Sequence, residues 1–258
     1  SLSLVRCRVL ADIGGPPQSK RRSTPADSGW VPRQPPHRAG RALERWVRPN
    51  PEQGLSVNHR FNDAQWAQNY AETVNERRPE RLEVFAHVAD HLAELANNAP
   101  TVVELAPGPG MLAEVLLSAQ PQLTYIGIDY SAPFIQIARD KLAPFDQRIT
   151  LHQADLVKDD WPSLLSSPVH AVVSNMAIHD LGSGAAVAAT YEKAIHLLER
   201  GGLIINADLV TMPDDDQPPA DGKLKVPRHL EILMDLGFAD VRCTLDLGHY
   251  ACIIARKA

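Results

Sequence analysis

Val102-Val103-Glu104-Leu105-Ala106-Pro107-Gly108-Pro109-Gly110 decides the fold. Val102–Leu105 is a strand-length run rich in β-branched residues, and the proline–glycine run behind it forces a turn. Met111, Leu112, Val115 and Leu116 then recur at helical spacing. A strand feeding a glycine-rich turn and a helix lets a ligand approach main chain that a Cβ would block, with the helix N–H groups aimed at it.

The same alternation continues downstream. Leu123–Asp129 is a second strand, and Ser131 caps a helix carrying Phe134, Ile135, Ala138 and Leu142. Ile149–His152 and Val169–Asn175 are further strands. A helix over about Ala185–Glu199 places Val187, Tyr191, Ala194, Ile195 and Leu198 inward, and Gly201-Gly202 is expected to stop it with a left-handed cap. Leu203–Val210 is a fifth strand, Arg228–Leu236 a helix, and Val241–Asp246 and Tyr250–Arg256 the closing strands. Strands alternating with helices specify an α/β, doubly wound parallel sheet. Only Leu247-Gly248-His249 separates the last two strands, so that pair must be antiparallel.

Upstream, Asn62–Asn75 carries Trp66, Tyr70 and Val74 on one stripe, and Arg81–Ala96 carries Leu82, Phe85, Ala89 and Leu92 on another. Residues 55–98 are therefore expected to form a helical cap on a domain spanning 99–258. Residues 1–54 hold eight of the 21 prolines and no sustained periodicity, which predicts a disordered Pro/Arg-rich leader.

Composition narrows the classes. Three cysteines (Cys7, Cys243, Cys252) cannot all pair within the chain and have no zinc spacing, so a reducing cytoplasmic compartment is the default. The longest apolar stretches are strand-sized, too short to cross a bilayer. Residues 1–60 hold eleven Lys and Arg against four acids, which leaves the remaining chain net acidic. An acidic body argues against a catalytic domain that grips nucleic-acid backbone broadly.

Nineteen residues beyond Gly110, Asp129 ends the second strand, where a carboxylate can accept both hydroxyl protons of a ribose. Asp155 lies just past the third strand, placed to accept from an exocyclic adenine amine. Three strand ends thus make a nucleoside slot. Gly108-x-Gly110-x-x-Ala113 with Asp129 also fits a dinucleotide-binding turn, but Glu104, Asp155 and the antiparallel last strand count against it.

From about Asn58 to Lys257 the chain resembles the class I S-adenosylmethionine-dependent methyltransferases. Glu104-x-Ala106-x-Gly108-x-Gly110 is similar to their first motif, with alanine for its first glycine. Ile126–Ser131 resembles the second, Gln153–Leu156 the third, Val169–Asn175 with Ala177-Ile178-His179 the fourth, and Leu197–Leu203 the approach to the fifth strand. The resemblance implies a Rossmann-like seven-stranded sheet of order 3-2-1-4-5-7-6 and S-adenosyl-L-methionine as cofactor. It implies that Glu104, Ala106, Gly108 and Gly110 hold the methionine end, with Asn175 beside them. Asp129 would bind the ribose, Tyr130 pack on adenine, and Asp155 with the Leu156 main chain read the adenine edge. Ala106 costs little if its backbone angles are ordinary.

Methyl transfer from a sulfonium is an in-line displacement, needing a base only where the acceptor arrives protonated. His179, four residues past Asn175, is the candidate base or acceptor-orienting group; the plainer role is lining the pocket. Asp180 either orients that imidazole or, preferably, caps the next helix. His87 and His91 suit a solvated helix face. The Asp214-Asp215-Asp216 run has no second ligand cluster, and Asp208 has only Asn175 for a partner, so no metal is expected. A compact helical lid over an acidic body favours a small-molecule acceptor. An RNA- or protein-modifying methyltransferase using the basic leader, or a catalytically silent cofactor-binding module, are the alternatives.

Overall fold

The computed structural model describes residues 59–95, 99–166, 168–212 and 222–258. The leader expected at 1–54, Cys7 and the Asp214–Asp216 run lie outside the described residues.

Two helices come first, α1 (Ala64–Arg77) and α2 (Glu80–Ala93). Asp63 starts α1 by accepting the Trp66 N–H at 2.8 Å. The alternating part runs β1 (Thr101–Leu105), α3 (Met111–Ala119), β2 (Thr124–Asp129), α4 (Ala132–Lys141), β3 (Ile149–Gln153) and β4 (Val169–Asn175). It continues through α5 (Gly184–Leu197), β5 (Leu198–Leu209), α6 (Val226–Asp235), β6 (Phe238–Asp246) and β7 (Tyr250–Lys257). The seven strands form one sheet of order β3-β2-β1-β4-β5-β7-β6. β1 to β5 pair in parallel; β7 runs antiparallel to both neighbours. Ser131 caps α4 as the sequence predicts, accepting the Phe134 N–H at 3.2 Å.

Strand alternation sends side chains to two cores. Val102, Ala171, Val173, Ile205 and Ile254 pack with Val84, Phe85 and Val88 of α2 and Leu112 and Leu116 of α3. Val103, Leu105, Val172, Ile204 and Ile253 pack with Val187, Tyr191 and Ala194 of α5 and Ile232 and Leu233 of α6. The sheet is therefore covered on both faces, as a parallel sheet requires. Arg148 closes the carboxyl end of α3, donating to the carbonyls of Leu117, Gln120 and Leu123 at 3.0–3.2 Å.

Two local expectations are corrected. α5 ends at Leu197, and the chain is extended from Leu198, which pairs with Val169. Gly201-Gly202 lies in the irregular start of β5 and does not stop the helix. Lys257 and Arg256 of β7 hold the carbonyls of Leu198 and Gly201 at 2.6 Å each, which favours strand over a further helical turn. His87 and His91 are half-buried, their rings edge-on with centroids 4.6 Å apart and His87 Nε2 2.9 Å from Thr244 Oγ1 of β6. No helix among the described residues is long and apolar enough to cross a membrane.

Candidate functional site

The carboxyl ends of β1, β2 and β4 bring Glu104, Asp129 and Asn175 to one edge of the sheet. Between β1 and α3 the chain turns through Ala106 (φ 50°), Gly108 (φ 56°) and Gly110 (φ 77°). At Gly110, the N-cap of α3, a Cβ would also come within 3.2 Å of Ala138 Cβ. At Gly108 a Cβ would meet nothing within 4 Å, so the space over this turn is open. No side chain caps α3, which leaves its first N–H groups to that space.

Ala106 does not meet the condition of ordinary backbone angles. Its N–H donates to the Ile128 carbonyl at 2.7 Å, which holds it in the left-handed region despite its Cβ. That conformation costs an L-residue about 1–2 kcal/mol. Ala106→Gly should therefore raise stability by about 1 kcal/mol, because glycine's larger unfolded-state entropy offsets part of the relief. Urea denaturation of the two proteins checks this; equal midpoints would mean the turn is unstrained.

Two buried carboxylates face the turn. Asp129 is 3% exposed, accepting the Gly108 N–H through Oδ2 and the Ser131 N–H through Oδ1, each at 2.9 Å. Burial raises its pKa to about 6, although those main-chain N–H groups and that of Tyr130 pull it down. Glu104 is 1% exposed and accepts the Tyr125 hydroxyl at 2.8 Å. Burial raises its pKa to about 7, against the Tyr125 hydrogen bond and the Arg81 charge.

Past β3, Asp155 forms a turn of its own. Its Oδ1 accepts the N–H groups of Val157 and Lys158, and its Oδ2 pairs with the Lys158 ammonium at 3.1 Å. Burial raises the Asp155 pKa, but these partners win and hold it below the usual value. Its Oδ1 is thus used within the turn, and its Oδ2 lies beside a largely exposed lysine. Lys193 of α5 pins the same loop, donating to the carbonyls of Leu156 and Asp159 at 3.2 and 3.0 Å. Tyr130 stands edge-on to Phe61 at 6.3 Å, and Trp66 stacks on Tyr70 at 5.2 Å, so aromatic groups of the cap reach the slot. Ser131 donates its hydroxyl to the Phe61 carbonyl and ties the cap down there.

At the end of β4, Asn175 donates through Nδ2 to the Tyr250 hydroxyl at 2.5 Å, and its buried Oδ1 has no partner. His179 follows in a short 3-10 turn (Ile178–Asp180). Asp208 of β5, 1% exposed, accepts the His179 main-chain N–H at 2.8 Å and lies 2.6 Å from its Nδ1. Asp208 thus fixes Nδ1 as the protonated nitrogen and leaves Nε2 unprotonated in the neutral ring. Asp180 Oδ2 lies 3.5 Å from Nε2. Burial lowers the imidazole pKa, but the Asp208 and Asp180 carboxylates more than offset it, and the net shift is upward.

Asp180 is not the helix cap: Ser183 is, accepting the Ala186 N–H at 3.1 Å. The spacing Ser183-x-x-Ala186 was available to show this. Asp208 is the residue that sequence reasoning missed as an imidazole partner. Its only signal is an acid that, with Asn206, interrupts the apolar run from Leu203 to Val210. Beneath it runs a buried polar line. Ser174 donates to Asn206 at 2.6 Å, Asn206 donates to Tyr191 at 2.9 Å, and Tyr191 lies 2.8 Å from His229 Nδ1. Burial lowers the His229 pKa to about 4, so that ring is neutral.

These residues fit the cofactor that the resemblance implies. The open turn and uncapped helix end offer N–H donors, the Asp129 carboxylate keeps lone pairs beyond the main-chain N–H groups it accepts, and Asn175 Oδ1 lacks a donor. Among the described residues, no three His, Cys, Asp or Glu side chains gather as a metal site would require.

A family model described as a methyltransferase domain matches residues 103–204. The chain is 32% identical over 148 residues to an uncharacterized methyltransferase of Geobacillus sp. strain WCH70, covering 56% of this chain and 64% of that one. It is 31% identical over 158 residues to another from Bacillus cytotoxicus, covering 61% and 69%. The chain thus spans about two thirds of these relatives. Among solved structures it is similar in fold to an O-methyltransferase family protein from Burkholderia thailandensis (TM-score 0.61, 21% identity, 79% of this chain and 63% of that one). It is also similar to an O-methyltransferase family 2 protein from Planctomyces limnophilus solved with apigenin (TM-score 0.60, 17% identity, 76% and 62%).

Proposed function

Because the chain belongs to the class I S-adenosylmethionine-dependent methyltransferases, we propose that it methylates a hydroxyl of a small-molecule acceptor, with His179 taking the proton. The His179–Asp208 pair carries this reading. A base is needed when the nucleophile arrives protonated, and an imidazole with its Nδ1–H held by a buried carboxylate presents Nε2 for that purpose. S-adenosylmethionine, when bound, supplies a sulfonium methyl group for in-line displacement. Asp129 would hold the ribose, Tyr130 with Asp155 and the Leu156 main chain would meet the adenine, and the Glu104–Gly110 turn with Asn175 would hold the methionine end. The aromatic cap over the slot would exclude water and orient the acceptor. The acidic body and the O-methyltransferase descriptions of the structural neighbours, one solved with a phenolic ligand, support a small hydroxylated acceptor.

Two measurements test this. Labelled S-adenosylmethionine incubated with a metabolite extract should deliver its methyl group to a small molecule, as an ether or ester by mass spectrometry. Label in RNA or protein alone would sink the small-molecule assignment. With that acceptor, the rate should rise with pH as the imidazole loses its proton, at a midpoint above 6.5 in the wild type. Asp208→Asn removes the main upward influence and leaves burial, so the midpoint should move to lower pH. The turnover number should fall by about 10²-fold through the lost orientation, with the acceptor's KM little changed. An unmoved midpoint would remove His179 from the proton path.

A further inference from the structure

Arg81, at the start of α2, is 5% exposed and poorly paired for a buried cation. A guanidinium carries five N–H donors, and burying it without partners is costly. Its Nη1 donates to the Tyr70 hydroxyl at a long 3.3 Å, and its carbon lies 5.2 Å over the Phe85 ring. Its Nε is fully buried and has no partner. Burial raises the pKa of Glu104 at the end of β1 and of Tyr250 at the start of β7, and the Arg81 charge reaches both and opposes that rise. Yet Arg81 and Glu104 are not ion-paired, because Glu104 gives its Oε2 to Tyr125. The Tyr250 hydroxyl is bonded in turn to Asn175, whose Oδ1 is the other unpartnered atom at this place. Arg81 thus offers a buried, unpartnered Nε within electrostatic reach of Glu104 at the end of β1 and of Tyr250, which bonds Asn175 at the end of β4.

We propose that Arg81 anchors a carboxylate of a bound small molecule, seated between the cap and the ends of β1 and β4. A carboxylate matches the planar fork with two parallel hydrogen bonds and supplies the missing counter-charge. The proposal rests on the methyltransferase reading, which offers two sources: the amino-acid end of the cofactor, or an acid group on the acceptor. Glu104, whose carboxyl feels the Arg81 charge, suits the first, since an ammonium beside it and a carboxylate beside Arg81 would complete a zwitterion.

The test is calorimetry on the full chain and on Arg81→Met and Arg81→Lys. S-adenosylhomocysteine carries the amino-acid group, whereas 5′-methylthioadenosine keeps the nucleoside and thioether without it. If the cofactor is the source, Arg81→Met weakens S-adenosylhomocysteine by about 30- to 100-fold and methylthioadenosine by no more than about 2-fold, with Arg81→Lys between. If the acceptor is the source, neither adenosyl ligand responds. Benzoate then binds the wild-type S-adenosylhomocysteine complex in preference to benzamide, and Arg81→Met abolishes that preference. Equal weakening of both adenosyl ligands, or no response to any probe, overturns the proposal while leaving the cofactor reading intact. If the wild type binds neither adenosyl ligand, the methyltransferase reading fails and takes the proposal with it. Should Arg81→Met not fold, Arg81→Lys carries the same comparison.

Discussion

His179→Ala is expected to lower the turnover number by about 10²–10⁴ while cofactor affinity barely moves. The separation follows from geometry: His179 lies beyond β4 and leans on β5, whereas Asp129 and Asp155, proposed for the ribose and adenine, lie at the ends of β2 and β3. The wild-type rate should rise through an imidazole pKa above its ordinary 6.5, since burial lowers it but Asp208 and Asp180 raise it further. The active form is the neutral ring, so activity is lost as pH falls through that value, and the mutant should lack this limb. Steady-state kinetics over a pH series with the identified acceptor checks both points. If turnover survives and only the acceptor's KM rises, the residue lines the pocket and catalysis rests on proximity and desolvation.

Asp129→Ala should weaken S-adenosylhomocysteine by roughly 30- to 1,000-fold, the loss of a charge-assisted acceptor for two ribose hydroxyls at about 2–4 kcal/mol. A diol donates best to the ionised carboxylate. Wild-type affinity should therefore fall as pH drops through about 6, and that dependence should vanish in the mutant. The stability of the ligand-free protein should respond with the opposite sign. The folded pKa lies above the ordinary 3.8, so the folded state binds more protons between these values and stability declines as pH rises from about 4 to 6. Above that window the buried charge costs on the order of 2–3 kcal/mol. Asp129→Asn, which does not titrate, should thus abolish this pH dependence of the apo melting temperature while weakening the ligand. Titration calorimetry with thermal unfolding reads both, and unchanged affinity would remove Asp129 from the slot.

What was legible in the sequence is local or periodic. Val102–Gly110 announces strand and turn within nine residues and Met111–Leu116 the helix after them, Ser131 stands three residues before the N–H that it caps, and the short Leu247–His249 link leaves β6 and β7 only one orientation. What was not legible depends on partners far apart in the chain. Asp208 meets His179 across 29 residues because β4 and β5 are neighbours, and no spacing rule joins them. Arg81 lies on a helix whose pattern marks Leu82 as core, yet Leu82 is 56% exposed and Arg81 is buried. Phe85 and Leu92 of the expected stripe are buried, but the first turn buries Arg81 in place of Leu82, and an apolar pattern does not mark a buried cation. Ala106 hides its strain for a similar reason: its φ is imposed by the hydrogen bond to Ile128 of β2. Asp155 occupies the expected position, but the residues that claim its oxygens, Val157 and Lys158, follow it in sequence and show their role only once the turn is built.

The position of β7 has a consequence for how this chain is made. It is the last described strand to leave the ribosome, yet it sits inside the sheet, between β5 and β6. Until it arrives, the apolar edge of β5 from Leu203 to Leu209 is an open pairing template on the nascent chain, with β6 unable to dock beside it. Tyr250 arrives with β7, and Asn175 gains its hydroxyl partner only then. The parallel half of the sheet can assemble in order of synthesis, whereas Asn175 acquires its partner only once β7 has been made. Aggregation risk and the partnering of Asn175 therefore hinge on the same eight-residue segment.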